Sequence, residues 1–233
     1  MSLLLYCIFR SEASLPASLP GGIDGSALAL AVEGELTAAY STAPDDSLPA
    51  PTPLQAKAYA HAVDVMHRTC TVLPMRYGNV LANEQQTVEF LRKHKAEFLA
   101  KLQELDGCIE MGIRMIMSKE GQQAGNDADA PPPQNGAAYL QARRRQYAEL
   151  DSVAQLAKDH ADRCRAAFNG LLVQCKIESS TLPDSAGDVA LLSLYFLVKK
   201  ECEQPFRRAF RELADRELAK LILSGPWPPY NFA

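Results

Sequence analysis

A low-complexity stretch between residues 118 and 136 limits what this chain can fold into. It contains Lys119–Gln123, an Asn/Asp/Ala run and the three consecutive prolines Pro131–Pro133. Such a composition buries too little apolar surface to offset the entropy of ordering the backbone, so it predicts a flexible linker over residues 119–136. The rest of the chain must then form two folded parts. We place them at residues 1–118 and 137–224, followed by a tail at 225–233.

Apolar patterning in the first part predicts strands separated by helices. The opening run Met1–Arg10 is typical of a buried strand, and the apolar runs on either side of Glu33–Glu35 predict a hairpin. The extended segment Thr71–Val80 contains Pro74, which favours a sheet edge because proline cannot donate a ladder hydrogen bond. A further strand is predicted at Cys108–Met117. This order is typical of an α+β sandwich with helices over one face of a largely antiparallel sheet.

Two helices are predicted between these strands. The first begins near Pro53, since proline fits the first turn of a helix. The second follows the capping-box pair Asn83 and Gln86 and ends at Asp106–Gly107. Apolar residues at helical spacing predict the face that each helix buries. These faces comprise Leu54, Ala58, Ala62, Val65 and Met66 in the first helix, and Val88, Leu91, Phe98, Leu102 and Leu105 in the second.

The second part repeats the α+β pattern. Ala137–Phe168 contains neither proline nor glycine, which predicts a helix about 48 Å long. Strands are predicted at Leu171–Ile177, Val189–Val198 and Leu218–Leu223, with a helix over Cys202–Leu213. The fold class predicted for the whole chain is therefore α+β, with two ferredoxin-like sandwich domains and a long helix that opens the second.

The C-terminal tail, Gly225–Ala233, is unusually stiff and aromatic for a chain end. Pro228–Pro229 favours an extended, polyproline-like path. The chain's single tryptophan, Trp227, lies beside them, and together with Tyr230 and Phe232 it can bury a large apolar area. We expect the tail to dock on the protein's own fold. The alternative is a free tail that binds a partner.

Charge and cysteine content narrow the class of protein. The net charge of −4 argues against general nucleic-acid binding and against attraction to anionic membranes. No run approaches the roughly 20 apolar residues needed to cross a bilayer, and the N-terminus lacks the basic region of a signal peptide. The six cysteines are dispersed and form no CxxC pair, which indicates reduced thiols. These features predict a cytoplasmic protein.

Catalytic and metal-binding patterns are missing from the sequence. There is no GxSxG or HExxH motif, and His61 lies on a different side of its helix from His67. His67 and Cys70 have a spacing that could share a metal, but no second pair completes a tetrahedral site, so surface or helix-end positions are favoured. Arg76, within an apolar run, is interpreted as a structural arginine, with a substrate clamp as the alternative. We predict no enzymatic activity, metal or cofactor.

Several motifs occur in order over nearly the whole chain. The most specific are Thr71–Gly78 and Gly225–Tyr230. The others are Leu5–Ile8, Gly22–Gly25, Val32–Ala38, His61–Val63, Leu105–Ile113 and Tyr139–Arg144. On these motifs the chain resembles the gas vesicle proteins of the GvpL/GvpF family. The candidate family-motif residues are Pro74, Arg76, Tyr77, Gly78, Gly225, Pro226, Trp227, Pro228, Pro229 and Tyr230.

The resemblance implies an accessory or minor structural protein of gas vesicle assembly. It implies binding to the hydrophobic shell protein GvpA and to other gas vesicle proteins, in support of vesicle nucleation or growth. Neither a nucleic-acid nor a membrane partner is implied, and self-association stays open. The alternative is a small-molecule-binding regulatory module of ferredoxin-like fold, with Arg76 and either Tyr77 or His61 at its ligand site.

Overall fold

The computed structural model describes residues 2–43, 50–118, 155, 158–181, 189–217 and 220–233. The predicted linker at 119–136 and most of the predicted helix at 137–168 lie outside these residues, so the predicted domain limits stay a prediction. The described elements are β1 (Leu3–Arg10), β2 (Ala29–Glu33), β3 (Leu36–Thr42), α1 (Pro53–Thr69), β4 (Val72–Pro74), β5 (Val80–Leu81), α2 (Glu84–Lys93), α3 (Lys95–Glu104), β6 (Cys108–Ser118), α4 (158–167), β7 (Leu172–Thr181), β8 (Val189–Lys199), α5 (Glu203–Ala214) and β9 (Lys220–Trp227).

These elements group into two compact units. The first unit comprises residues 1–110, 197–200 and 226–233, and the second comprises 111–196 and 201–225. The last eight residues of the chain therefore belong with its N-terminal half. Among the described residues, no helix is both long enough and apolar enough to span a bilayer.

The first unit is built around β1. Its sheet has the order β2-β3-β1-β4, and β5 also pairs with β1, all antiparallel. The predicted buried strand, the β2–β3 hairpin and the proline-bearing edge strand β4 are thus confirmed. The prediction of helices over only one face of the sheet is wrong for β1. All residues from Leu3 to Phe9 are buried, and alternate side chains of a strand point to opposite faces, so both faces of β1 are covered.

Helix α1 begins where Pro53 predicted, and its buried face matches the predicted one only at Ala62 and Met66. Thr52 and Gln55 form a capping box at its start. Its buried residues are Tyr59, Ala62, Val63, Met66 and His67, while Leu54 is 76% exposed. The predicted face counted only apolar residues. It missed Tyr59, whose polar hydroxyl group can be buried because its single proton is shared between two backbone carbonyls, Leu5 O at 2.8 Å and Met75 O at 2.9 Å.

The single helix predicted after Asn83 is two helices, α2 and α3. They meet at His94, whose φ of −102° and ψ of 14° leave the helical region. No proline or glycine marks this break, so the sequence carried no signal for it. The capping box is also only half formed. Asn83 Oδ1 accepts from Gln86 N–H at 2.9 Å, but Gln86 Oε1 accepts from Ala82 N–H rather than from Asn83.

The second sheet has the order β7-β8-β6-β9. In the second unit, Phe168, Phe196 and Phe206 pack together, with ring centroids 4.1–5.4 Å apart, and they hold α5 against β8. The described part of this unit keeps the predicted order of helix, two strands, helix and strand. Strand β9 differs in length from the prediction, because it continues past Leu223 to Trp227.

Candidate functional site

The tail folds into a turn after β9 rather than staying extended. Tyr230 N–H donates to Pro228 O at 2.8 Å, and the N–H groups of Phe232 and Ala233 both donate to Pro229 O at 3.1 Å. Pro228, Pro229 and Phe232 are buried, and Phe232 is only 2% exposed. The polyproline-like path predicted from the proline pair is therefore interrupted, because the prolines supply carbonyl acceptors to the residues that follow them.

A buried carboxylate in the first unit holds the turn. Glu110, 4% exposed, accepts two hydrogen bonds from Asn231, one from the backbone N–H at 2.8 Å and one from Nδ2 at 2.6 Å. Lys101 Nζ of α3 also donates to Phe232 O at 3.5 Å. Buried polar groups need hydrogen-bond partners, and these two bonds make Glu110 a polar anchor of the tail.

The turn closes a groove of about 200 Å³ against β4 and α3, which we call the tail groove. Arg76 and Lys101 supply positive charge to its lining, and Glu97 supplies negative charge. The tail contributes Tyr230 and Ala233. The groove thus brings together the two most specific sequence motifs, Thr71–Gly78 and Gly225–Tyr230.

The chemistry of the tail groove suits binding rather than catalysis. The hydroxyl group of Tyr230 is buried and has no hydrogen-bond partner among the described residues, and burial raises the pKa of this tyrosine well above its usual value. The phenol is therefore a neutral donor. Arg76 is exposed, and its guanidinium forms no ion pair with a described residue. Arg76 can therefore bind a polar partner, whereas the buried Tyr230 hydroxyl group is not accessible to one, and the two groups do not pair a nucleophile with a base.

The other residues of the Thr71–Gly78 motif shape the chain beside the groove. The Tyr77 ring packs edge-on against Tyr59, with centroids 5.4 Å apart. Gly78 has a φ of +95°, which favours glycine, and it lets the chain turn from β4 to β5. Asn79, the next residue, accepts from Leu5 N–H at 2.9 Å. Arg76 lines the tail groove, whereas Tyr77 and His61 are not among its lining residues, and the ligand site of the alternative function stays a prediction.

The Gly225–Tyr230 motif divides between strand and turn. Gly225, with a φ of +105°, accepts from Arg207 Nη2 at 2.7 Å within the second unit. Pro226 and Trp227 end β9, and Trp227 is 49% exposed. Trp227 therefore buries only part of its surface on this fold. The reason is that the chain turns only after Pro228, so the indole still belongs to the strand.

The chain is similar to known proteins over nearly its whole length. The model of the family described as "Gas vesicle synthesis protein GvpL/GvpF" matches residues 2–233. The chain belongs to this family. The family match supports a gas vesicle role for the protein.

Individual relatives agree with the family match. The chain is 27% identical over 244 residues to gas vesicle protein F of Streptomyces sp. (strain CB03234), covering 100% of this chain and 99% of the relative. The crystal structure of GvpF from Anabaena sp. PCC7120 matches with a TM-score of 0.76 at 19% identity, over 99% of this chain and 95% of that one. GvpF from Microcystis aeruginosa matches with a TM-score of 0.77 at 16% identity, over 99% and 98% of the two chains. These structures support the mixed helix and antiparallel-sheet fold.

Two further motifs of this GvpL/GvpF chain meet at Tyr6. This residue lies at a β-bulge where the pairing of β1 with β3 shifts. Its hydroxyl group accepts from Ile23 N–H at 2.9 Å and bonds Ser41 Oγ at 2.9 Å, and its ring stacks on Tyr59 at 4.7 Å. A Cβ on Gly22 would clash with this hydroxyl group. The Gly22–Gly25 turn is therefore a structural turn, as predicted, and it closes around Tyr6.

The two histidines of α1 occupy different environments. His61 is exposed, whereas His67, in the last turn, is 5% exposed and neither ring nitrogen has a hydrogen-bond partner among the described residues. Burial lowers the pKa of His67 to about 4. The prediction of a surface position is wrong for His67, while its helix-end position is confirmed. The described residues hold no cluster of three or more metal-binding side chains.

The sequence offered little sign of the residues that fix the tail. Glu110 lies in a strand otherwise rich in apolar residues. A charged residue at such a position indicates a need for a buried partner, and this was the sequence's only sign of its role. Its partner, Asn231, is distant in sequence, and nothing in the tail composition links the two. The sequence also held no sign that Tyr59 is buried, since its hydrogen-bond acceptors are backbone carbonyls distant in sequence.

Proposed function

We propose that this chain is an accessory, minor structural protein of gas vesicle assembly that binds the hydrophobic shell protein GvpA and other gas vesicle proteins. It acts in the cytoplasm, associated with the vesicle, and supports nucleation or growth. The observation that carries the proposal is the family match over residues 2–233. A physical rationale supports it, because a very apolar shell subunit needs a partner to cover its surface before it polymerises.

Trp227 is the contact residue that we propose for this binding. Large aromatic side chains dominate many protein interfaces because they bury much area for little loss of rotamer freedom. Trp227 is 49% exposed, it is the last residue of β9, and the buried Pro228–Pro229 pair follows it. A backbone ordered in this way loses less entropy on binding than the backbone of a free tail.

The experiment measures recovery of GvpA with the affinity-tagged full-length chain, co-expressed and quantified by mass spectrometry. We expect the wild-type chain to retain GvpA and Trp227→Ala to retain at least about tenfold less, the effect of losing an interface anchor. Leu54→Ala is the matched control, since Leu54 is also apolar and is 76% exposed on α1. It should leave recovery unchanged.

Two outcomes contradict the proposal at different levels. If the wild-type chain retains no more GvpA than an unrelated tagged protein, the proposal of shell binding is contradicted. If Trp227→Ala and Leu54→Ala lose GvpA equally, Trp227 is not the contact residue, but the proposal of shell binding remains.

A further inference from the structure

Strand β7 forms one end of the second sheet. In the order β7-β8-β6-β9 it has a single neighbour, β8, among the described strands. It is ten residues long, Leu172–Thr181, and contains no proline. Proteins usually keep edge strands short, or interrupt them with proline, because the unpaired backbone groups of an edge recruit other strands. A long, regular edge of this kind is suited to pairing with another strand.

The side chains of β7 separate into two faces. Val173, Cys175 and Ile177 share one face, and Val173 and Ile177 are 52% and 44% exposed. Lys176 and Glu178 share the other face and are both exposed. Glu178 lies beside Tyr195 of β8, and after burial it is the main cause of the raised pKa of that tyrosine. The strand is thus amphipathic, with an apolar face and a charged face.

We propose that β7 pairs antiparallel with β7 of a second copy of this chain, about a two-fold axis at Ile177. In this register Lys176 lies opposite Glu178 of the partner subunit, and Glu178 lies opposite the partner's Lys176. The two Ile177 side chains meet on the apolar face. The pairing extends the four-stranded sheet across the dimer, with the same surface used by both copies.

Charge complementarity selects this register over its neighbours. A two-fold axis at residue 176 would place Lys176 opposite Lys176, and an axis at residue 178 would place Glu178 opposite Glu178. Parallel in-register pairing would also align like charges. Like charges directly opposite each other on paired strands are destabilising, whereas opposite charges attract. With the axis at residue 177, the exposed Ile177 side chains of the two copies also bury each other. The inference stands independently of shell binding.

Sedimentation velocity of the full-length chain over a range of concentrations, under reducing conditions, tests the proposal. The wild-type chain should form a concentration-dependent dimer. Lys176→Glu alone and Glu178→Lys alone each replace two attractive pairs by two repulsive ones, so each should weaken dimerisation at least about tenfold. The double variant Lys176→Glu/Glu178→Lys restores opposite charges and should recover the wild-type dimer. Lys57→Glu, an exposed charge on α1, is the control that should change nothing.

A cross-linking measurement tests the axis itself. Ile177→Cys should give a disulfide-linked dimer under mild oxidation, because the two residues at the axis face each other directly. Ile222→Cys on β9, where Ile222 is 43% exposed, should not exceed the wild-type level of cross-linking.

Several results would overturn the proposal. A wild-type chain that stays monomeric at every concentration would overturn it. This holds even if β7 binds the shell protein instead. A double variant that fails to recover the dimer lost in the single variants would overturn it as well. Equal cross-linking at residues 177 and 222 would also contradict the axis at Ile177.

Discussion

At the scale of single residues, the contact between Gly22 and Tyr6 leaves no room for a side chain on Gly22. The hydroxyl group of Tyr6 serves both Ile23 N–H and Ser41 Oγ, so it cannot move without breaking one of the two bonds. Gly22 has a φ of −85°, a value open to any residue. The requirement for glycine is therefore one of space and not of backbone conformation.

Gly22→Ala should lower the free energy of unfolding by about 1–3 kcal/mol, because the new methyl group displaces the Tyr6 hydroxyl group. Urea unfolding followed by circular dichroism measures the change. Gly21→Ala is the control, since a Cβ at Gly21 would meet no atom within 4 Å. Equal effects of the two substitutions would show that the turn backbone, and not the Tyr6 contact, demands glycine.

His67 makes the stability of the fold sensitive to acid. Its pKa is lowered from 6.5 to about 4, mainly by burial and secondarily by Lys200, whose Nζ donates to His67 O at 3.2 Å. Asp64 acts in the opposite direction. Because the folded pKa lies below the unfolded one, the unfolded chain takes up the proton first as the pH falls. The effect of His67 on the unfolding free energy is therefore absent above about pH 6.5. It grows as the pH falls from 6.5 to 4, and below pH 4 it amounts to a loss of about 3 kcal/mol.

His67→Leu should remove that part of the acid sensitivity. The comparison is the difference in unfolding free energy between pH 7 and pH 4.5, which should be smaller in the variant than in the wild-type chain. His61→Gln, on the exposed side of the same helix, should keep the wild-type difference. A wild-type difference that persists in His67→Leu would mean that other groups account for the acid sensitivity.

At the scale of elements, the tail has two parts with separate uses. Phe232 is 2% exposed and stabilises the fold, whereas Trp227 is 49% exposed and contributes little to it. We expect Phe232→Ala to lower the unfolding free energy by about 3–5 kcal/mol through a lost transfer term and a cavity. Trp227→Ala should change it by less than about 1 kcal/mol.

Thermal melting and urea unfolding of both variants measure this division of the tail. If the tail served only for recognition, both variants would melt at the wild-type temperature. Similar destabilisation by the two substitutions would instead indicate that the indole packs on the fold in solution.

The sequence predicted elements best where a local rule acts alone. Apolar runs located β1 and the β2–β3 hairpin, Pro53 located the start of α1, and Pro74 located an edge strand. Prediction failed where a tertiary contact decides the outcome. The break at His94 has no local signal, and the buried face of α1 depends on Tyr59 reaching carbonyls of β1 and of the segment after β4.

At the scale of the whole molecule, the units do not follow the order of the chain. Residues 197–200 and 226–233 belong to the first unit, although residues 111–196 lie between its main part and the first of these segments. Composition marks where a chain is disordered, but it carries no information on which distant segments return to a unit. For the same reason the motifs at Thr71–Gly78 and Gly225–Tyr230 were recognisable in the sequence, while their meeting in the tail groove was not.

We propose that this chain of the GvpL/GvpF family acts in gas vesicle assembly through the shell protein. The most direct measurement is deletion of its gene in the source organism, followed by flotation and electron microscopy of the cells. We predict loss of flotation and few or misshapen vesicles, restored by the wild-type gene and not by one that encodes Trp227→Ala. Normal vesicles and normal flotation in the deletion strain would contradict the account.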